Sequence, residues 1–275
     1  MSIATFVPEL WEARLLFHLD KAHVATAFVN RDYEGEIKQK GDTVHVNQLG
    51  NITVSDYVAA NGITAEDLVT TEQTLVIDQD KYWAFKVEDL EKVQAAGPLM
   101  DEAMARAAYN MADSVDTKIF AEIAGAAKSA NTIGTNANKI ALTKDNIYEN
   151  LVKLSVVLDK SNVPTQGRVL AVTPDIYGLL QMDVPTFIRS TPESEARLQT
   201  GYIGDISGFQ VFKTQNLPAN TIIATVPMAT SFAEQLVSTE ALRSEKNFAD
   251  IVRGHNVYGV KTFQADAVAK LIYSL

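Results

Sequence analysis

Two short runs in which apolar and polar residues alternate constrain this chain more than any other feature. From Ile37 the period is two, with Thr43, His45 and Asn47 set against Val44, Val46 and Gln48, and it returns at Thr74-Leu75-Val76-Ile77. Alternation of this kind marks strands with one buried face. Gly50, Asn51 and Asn61-Gly62 supply turn chemistry between the runs, and the stretch they bracket holds few core-like clusters. The spacing predicts a long hairpin that leaves the body of the protein. A two-stranded ribbon buries little of its own surface, so it is stable only if another chain covers it. An assembling protein is the first expectation.

The same segment is unusual in charge. Between Lys40 and Lys81 there is no Lys or Arg, while Asp42, Asp56, Glu66, Asp67, Glu72, Asp78 and Asp80 all fall there. These seven acids make up most of the formal net charge of −10. The segment reads either as a solvated acidic face or as a surface that meets a partner's basic groups. An acidic total argues against free electrostatic binding to DNA or to anionic membrane, because phosphate contacts come from clustered Lys and Arg.

Elsewhere the periods are mainly helical. Pro8 to Val29 reads as a helix through Leu10, Trp11, Leu15, Leu19, Ala22 and Phe28, with Pro8 suited to a first turn. Lys81 to Val87 forms a further alternating run, Glu88 to Gln94 looks helical, and Gly97-Pro98 breaks or kinks the chain there. From Leu99 a stripe of Met100, Met104, Ala107, Ala108, Met111, Val115, Ile119, Phe120 and Ile123 predicts a helix about 40 Å long. A polar stretch from Ser129 to Lys139 marks a lobe boundary. Thr143 then suits an N-cap, with Ile147, Leu151, Leu154 and Leu158 on one helical face. Arg168 to Val172 reads as a buried strand, and Thr173-Pro174-Asp175 opens another helix through Leu180. Strands are expected around 208–213 and 221–226, and two antiparallel strands, 248–252 and 258–273, joined through Gly254-His255-Asn256. The class is α+β, with a compact lobe at about 143–240 inserted into one made from both ends of the chain.

Chemistry is thin by comparison. With no cysteine, disulfides, thiolate nucleophiles and Cys-based metal sites are excluded. Gly204-Asp205-Ile206-Ser207-Gly208 only faintly resembles a protease Gly-Asp-Ser-Gly, and a Gly-bounded strand entry is the plainer reading. Asp78 and Asp80 would share a strand face, but further oxygen ligands for a cation are lacking nearby. His18 and His23 are five apart, a poor match to a helical zinc pair, and His45 and His255 stand alone. No catalytic, cofactor or metal residue is expected. The first residues lack the basic and apolar regions of a secretory signal, and no window approaches the ~20 apolar residues of a membrane span, so an intracellular site is expected.

The segment Val29-Asn30-Arg31-Asp32-Tyr33-Glu34-Gly35-Glu36-Ile37-Lys38-Gln39-Lys40-Gly41-Asp42-Thr43-Val44, the later Ile77-Asp78-Gln79-Asp80-Lys81-Tyr82-Trp83-Ala84-Phe85 and the closing Tyr258-Gly259-Val260-Lys261 closely resemble the major capsid (coat) proteins of tailed double-stranded DNA bacteriophages. The first of these motifs is the most specific. The resemblance implies the Hong Kong 97-type fold: an N-terminal arm (1–30), an extended-loop hairpin with flanking strands (31–86), a peripheral domain with a long spine helix (87–142 and 241–275) and an axial domain (143–240). It implies a homo-oligomer of pentamers and hexamers closing an icosahedral head around DNA that is bound without sequence specificity, with no membrane. Scaffolding and portal proteins are implied partners, and there is room for a decoration protein. The length leaves no room for a fused scaffold of usual size, so a separate one is expected. With no Lys between 41 and 80, a crosslinking lysine in the extended loop is absent and no covalent Lys–Asn network is expected. Asp56, Glu66, Asp67 and Glu72 are expected to face cations on an adjacent subunit, with Arg106, Arg189 and Arg197 as candidates. The same fold would also serve an encapsulin-like nanocompartment. A small-molecule enzyme domain in the second lobe is the competing class.

Overall fold

The computed structural model describes residues 24–33, 43–49, 52, 54, 67, 70–88, 99–183, 202–243 and 248–275. Of the expected Pro8–Val29 helix, only the end is described, where Ala25–Phe28 form one 3₁₀ turn. Of the expected 88–94 helix, only Glu88 is described, and it closes a strand.

The two alternating runs pair as foreseen. Strands β1 (Thr43–Leu49) and β2 (Thr70–Val76) are antiparallel, in register from Thr43 opposite Val76 to Leu49 opposite Thr70. They form a two-stranded sheet of their own. The chain continues into β3 (Gln79–Glu88), the edge of a three-stranded antiparallel sheet completed by β11 (Ala249–Thr262) in the centre and β10 (Thr230–Arg243).

The stripe from Leu99 becomes α1 (Leu99–Ala126), 28 residues long. Its two halves serve different cores. Met104, Ala108, Met111 and Ala112 pack with Val252, Trp83, Phe85 and Ala241 of the three-stranded sheet. Val115, Ile119, Phe120 and Ile123 enter the main core. There Phe28 stands edge-on to both Phe120 and Phe212, at 5.2 and 5.4 Å between ring centroids. Asp116, fully buried on α1, accepts the backbone N–H groups of Val24 and Ala25 and so holds the incoming chain against the helix.

The main core surrounds a seven-stranded mixed sheet ordered β4 (Thr132–Ile133), β12 (Ala269–Ser274), β9 (Thr221–Thr225), β6 (Val169–Val172), β8 (Phe209–Lys213) and β7 (Tyr202–Ile206), with β5 (Ile140–Ala141) also beside β12. Every residue of β6 and β9 is buried, which requires cover on both faces. Helix α2 (Ile147–Lys160) buries Ile147, Leu151, Leu154 and Leu158 as its pattern predicts, and α3 (Pro174–Asp183) packs beside it. Arg168, also fully buried, donates to the carbonyls of Pro164 and Val163, to Ser155 Oγ and to Asp159 at 2.7 Å, tying α2 to the entry of β6. Lys270 on β12 donates to the Ala124 carbonyl at 2.8 Å, placing a cation at the C-terminal end of α1.

Several expectations are corrected. Thr143 is not the N-cap of α2. Asn146 takes that position, and the Thr143 carbonyl instead accepts the N–H groups of Asn146 and Ile147 in a preceding turn. Gly254-His255-Asn256 does not join two strands but lies inside the unbroken β11, and the chain turns only after Thr262. Strand β10 was not foreseen. Gly204–Gly208 is a tight hairpin, with Ser207 and Gly208 at φ 49° and 82° between the paired Ile206 and Phe209, as a two-residue turn of mirror-image type requires. Strand β10 shares a sheet with β3 and β11, whereas the C-terminal β12 joins the seven-stranded sheet.

Candidate assembly surface

The root of the hairpin is built into the body. Val44, Leu75 and Ile77 pack on Ala233 and Val257 of the three-stranded sheet. They can do so because β11 has a glycine where the hairpin crosses: a Cβ at Gly259 would lie 2.4 Å from the Val76 carbonyl oxygen and 2.9 Å from Ile77 Cδ1. Just before the hairpin, Asn30 donates its backbone N–H to Thr230 and accepts that of Phe232, both at 2.8 Å, bridging to β10. The ring of Tyr33 stands edge-on to Phe263.

Ile52 and Val54 are 66% and 94% exposed, and Val76 is 44% exposed. Of the acids expected to meet a neighbour, Asp67 is exposed and Glu72 pairs with His45. His45 and Glu72 are diagonal neighbours across β1 and β2, so this contact forms within the hairpin. Asp56 and Glu66 lie outside the described residues, as do the candidate cations Arg189 and Arg197. Arg106 projects from α1 and pairs with Glu102 at 3.3 Å, one turn away.

The three-stranded sheet presents two further surfaces. Its outer face carries Tyr82, 81% exposed, with Ala84, Ile251, Arg253 and His255. There Arg253 donates twice to Glu240, at 2.6 and 2.9 Å, and His255 pairs with Asp80. Between β3 and α1 runs a groove of about 410 Å³. Trp83 and Phe85, stacked at 5.5 Å, face Ala103, Ala107 and Met111 across it, while Lys81 and Arg106 stand among its lining residues. Sequence reading missed Trp83 as a site residue. The available signal was Gly254, the register partner of Trp83 on β11: its missing side chain leaves the space the indole fills, since a Cβ there would lie 2.5 Å from the ring.

Buried polar atoms without a hydrogen-bond partner also gather here. Among the described residues these are Trp83 Nε1, Gln235 Oε1, Thr239 Oγ1, Asn256 Oδ1 and Tyr258 OH, all on β3, β10 and β11. Burial raises the pKa of the Tyr258 phenol above its usual 10.0. The nearby Ser114 side chain opposes the shift without reaching hydrogen-bond geometry, and the charges of Glu234 and Asp78 add to it. Among the described residues, no cluster of three His, Asp or Glu could hold a metal ion, and no helix is long and apolar enough to cross a membrane.

A long helix backing a three-stranded sheet, a hairpin with its own strand pair and a buried mixed sheet together make the α+β capsid fold of the Hong Kong 97 type. A structure from Mycobacterium phage Che8 is similar over 91% of this chain and 90% of its own, at 28% identity and a TM-score of 0.72. The capsid of cyanophage P-SCSP1u is similar at 15% identity and a TM-score of 0.71, over 90% and 86% of the two chains. A virus-like particle from Pyrococcus furiosus shares the fold at 16% identity and a TM-score of 0.60, over 96% and 98%. No curated protein matches the sequence. The phage capsid protein family matches residues 71–271, and the chain belongs to that family. It is a structural, shell-forming protein of the virion capsid that assembles from many copies.

Proposed function

We propose that this chain closes an icosahedral phage head, as procapsid and mature shell, from pentamers and hexamers assembled in the host cytoplasm around double-stranded DNA. The observation that carries this reading is the β1–β2 hairpin, a two-stranded sheet of its own rooted on Gly259 and followed by the exposed Ile52 and Val54. Residues 1–30 act as an N-terminal arm and 31–86 as the extended loop with its flanking strands. Residues 87–142 and 241–275 form the peripheral domain with α1 as its spine, and 143–240 the axial domain. A scaffolding protein and a portal are partners, with a place for a decoration protein outside, and the chain performs no catalysis. Asp56, Glu66, Asp67 and Glu72 meet cations of the adjacent subunit, drawn from Arg106, Arg189 and Arg197. Charge-swapping one such pair restores assembly lost in the single mutant. Unchanged assembly and salt dependence after neutralising each acid in turn would remove the electrostatic part of the proposal.

A nanocompartment that holds a cargo enzyme is the second reading, supported by the likeness to the Pyrococcus furiosus virus-like particle. Negative-stain microscopy of the purified protein, alone and with scaffold, tests the shell. Uniform closed particles are expected, and a stable small oligomer under all conditions would contradict both readings. Terminase and portal genes beside this one separate a phage head from a nanocompartment.

A further inference from the structure

Of the buried polar atoms without a partner among the described residues, all but one belong to the sheet face turned toward α1. Side chains alternate along a strand, so Val252, Gly254, Asn256 and Tyr258 of β11 share a face. Val252, with Trp83, Phe85 and Ala241 beside it, packs on Met104, Ala108 and Met111 of α1. Gln235 is the exception, because it stands opposite Val257, which packs under the hairpin root on the other face. Gly254 is the register partner of Trp83 on one side and of Thr239 on the other. The indole lies across this glycine, with Nε1 2.5 Å from where a Cβ would stand. Neighbouring strands are about 4.8 Å apart, which brings the indole N–H to within about one strand spacing of Thr239. Asn256 follows two residues along β11, about 7 Å on. Its Nδ2 donates to Glu234 at 2.6 Å, which leaves Oδ1 to face the other way. Strand β10 carries an extra residue between Leu236 and Ser238, opposite this stretch, and such a bulge bends the strand and loosens the ladder.

The side chains that converge here define what they can bind. Trp83 Nε1 only donates, Asn256 Oδ1 only accepts, and Thr239 Oγ1 does either. The indole N–H is hostile to a metal cation, and a carbonyl oxygen on a side chain paired with Glu234 is hostile to an anion. What fits is neutral, both donor and acceptor, and small, since Asn256 and Thr239 are only 0% and 6% exposed. We infer that one ordered water is a fixed component of the three-stranded sheet, accepting from Trp83 Nε1 and donating to Asn256 Oδ1 and Thr239 Oγ1. It joins β3, β10 and β11 on the face that α1 covers. About three hydrogen bonds are the usual complement of a buried water. With arms of about 2.7–3.2 Å it spans the gap that the strand spacing leaves between these groups. The water also completes a polar run that leads from the groove lined by Trp83, through Asn256 and Glu234, to Arg31, 3.8 Å from Glu234. Tyr258 OH, beside Ser114 of α1, stands outside the site.

The test compares two buried hydroxyls, Thr239 inside the site and Tyr258 outside it. Thr239→Val keeps the shape of the side chain and suits a strand, so the variant folds. With the water in place, losing this hydroxyl should raise the unfolding equilibrium constant of unassembled subunits about tenfold, equivalent to 1.4 kcal/mol. Without it, the change only removes an unpartnered group, and stability should hold or rise as it does for Tyr258→Phe. A neutral or stabilising Thr239→Val therefore overturns the proposal. Adding Trp83→Phe to Thr239→Val should cost less than Trp83→Phe does alone, because the shared water has already gone, and strictly additive losses count against it. A crystal structure of the subunit at about 2 Å resolution gives the direct answer, with a water oxygen expected about 2.7–3.2 Å from Trp83 Nε1, Thr239 Oγ1 and Asn256 Oδ1. Direct bonds among the three side chains, or a side chain from elsewhere in that position, would contradict it.

Discussion

The seven-stranded and three-stranded sheets differ in how completely one chain satisfies them. In the first, β6 and β9 are buried at every position and even the buried Arg168 has a partner for each of its nitrogens. In the second, five buried polar atoms lack partners among the described residues, and Tyr82 and Leu242 lie exposed, as do Ile52 and Val54 of the hairpin. An unpaired buried polar atom costs about 1–3 kcal/mol, and exposed apolar side chains gain nothing until covered. Among the described residues, the buried polar atoms left without a partner therefore gather in the three-stranded sheet, not in the seven-stranded one.

The contrast can be broken by substitution. Arg168→Ala should give the largest loss, about 3 kcal/mol, because it strands the Pro164 and Val163 carbonyls beside the seven-stranded sheet. Urea denaturation of unassembled subunits checks this, and a near-neutral result would remove the contrast. Gly259→Ala comes next, at about 2 kcal/mol, since its methyl group collides with the Val76 carbonyl at the hairpin root. Its effect on particle yield should exceed its effect on subunit stability, with faster amide exchange over 70–76. Lys270→Met should cost about 0.5–1 kcal/mol, by removing the cation from the end of α1. Heat denaturation reads this directly.

Tyr258→Phe is the smallest, neutral or stabilising by up to about 1 kcal/mol near pH 7, because the hydroxyl it removes has no partner among the described residues. Its pH dependence carries a sign. The folded-state pKa is raised, so the unfolded chain loses this proton first as pH climbs through 10.0. The wild type should therefore lose stability above that pH faster than Tyr258→Phe, as denaturation midpoints at pH 8 and 11 would show.

Much of the fold was legible because its patterns are local. The β1 and β2 alternation, the α1 stripe and the Leu151-Leu154-Leu158 face are short-range periods that tertiary packing reinforces. The features that escaped reading depend on distant partners. Strand β10 contains a register shift between Leu236 and Ser238, which puts its alternation out of phase, and its Ala, Glu and Leu content favours a helix. Gly254-His255-Asn256 has turn composition, but the glycine makes room for Trp83 and Asn256 donates to Glu234 at 2.6 Å on the neighbouring strand. The acid-rich segment pointed to a partner surface. The groove between β3 and α1 was hidden, because its lining residues come together only when α1 folds back on β3.

Hydrogen exchange on unassembled subunits and closed particles tests the contrast between the two sheets most directly. The expected result is new protection in 43–49, 70–88 and 249–258 on assembly, with β6 and β9 already fully protected in the subunit. Protection gained equally in both sheets, or chiefly in β6 and β9, would contradict it.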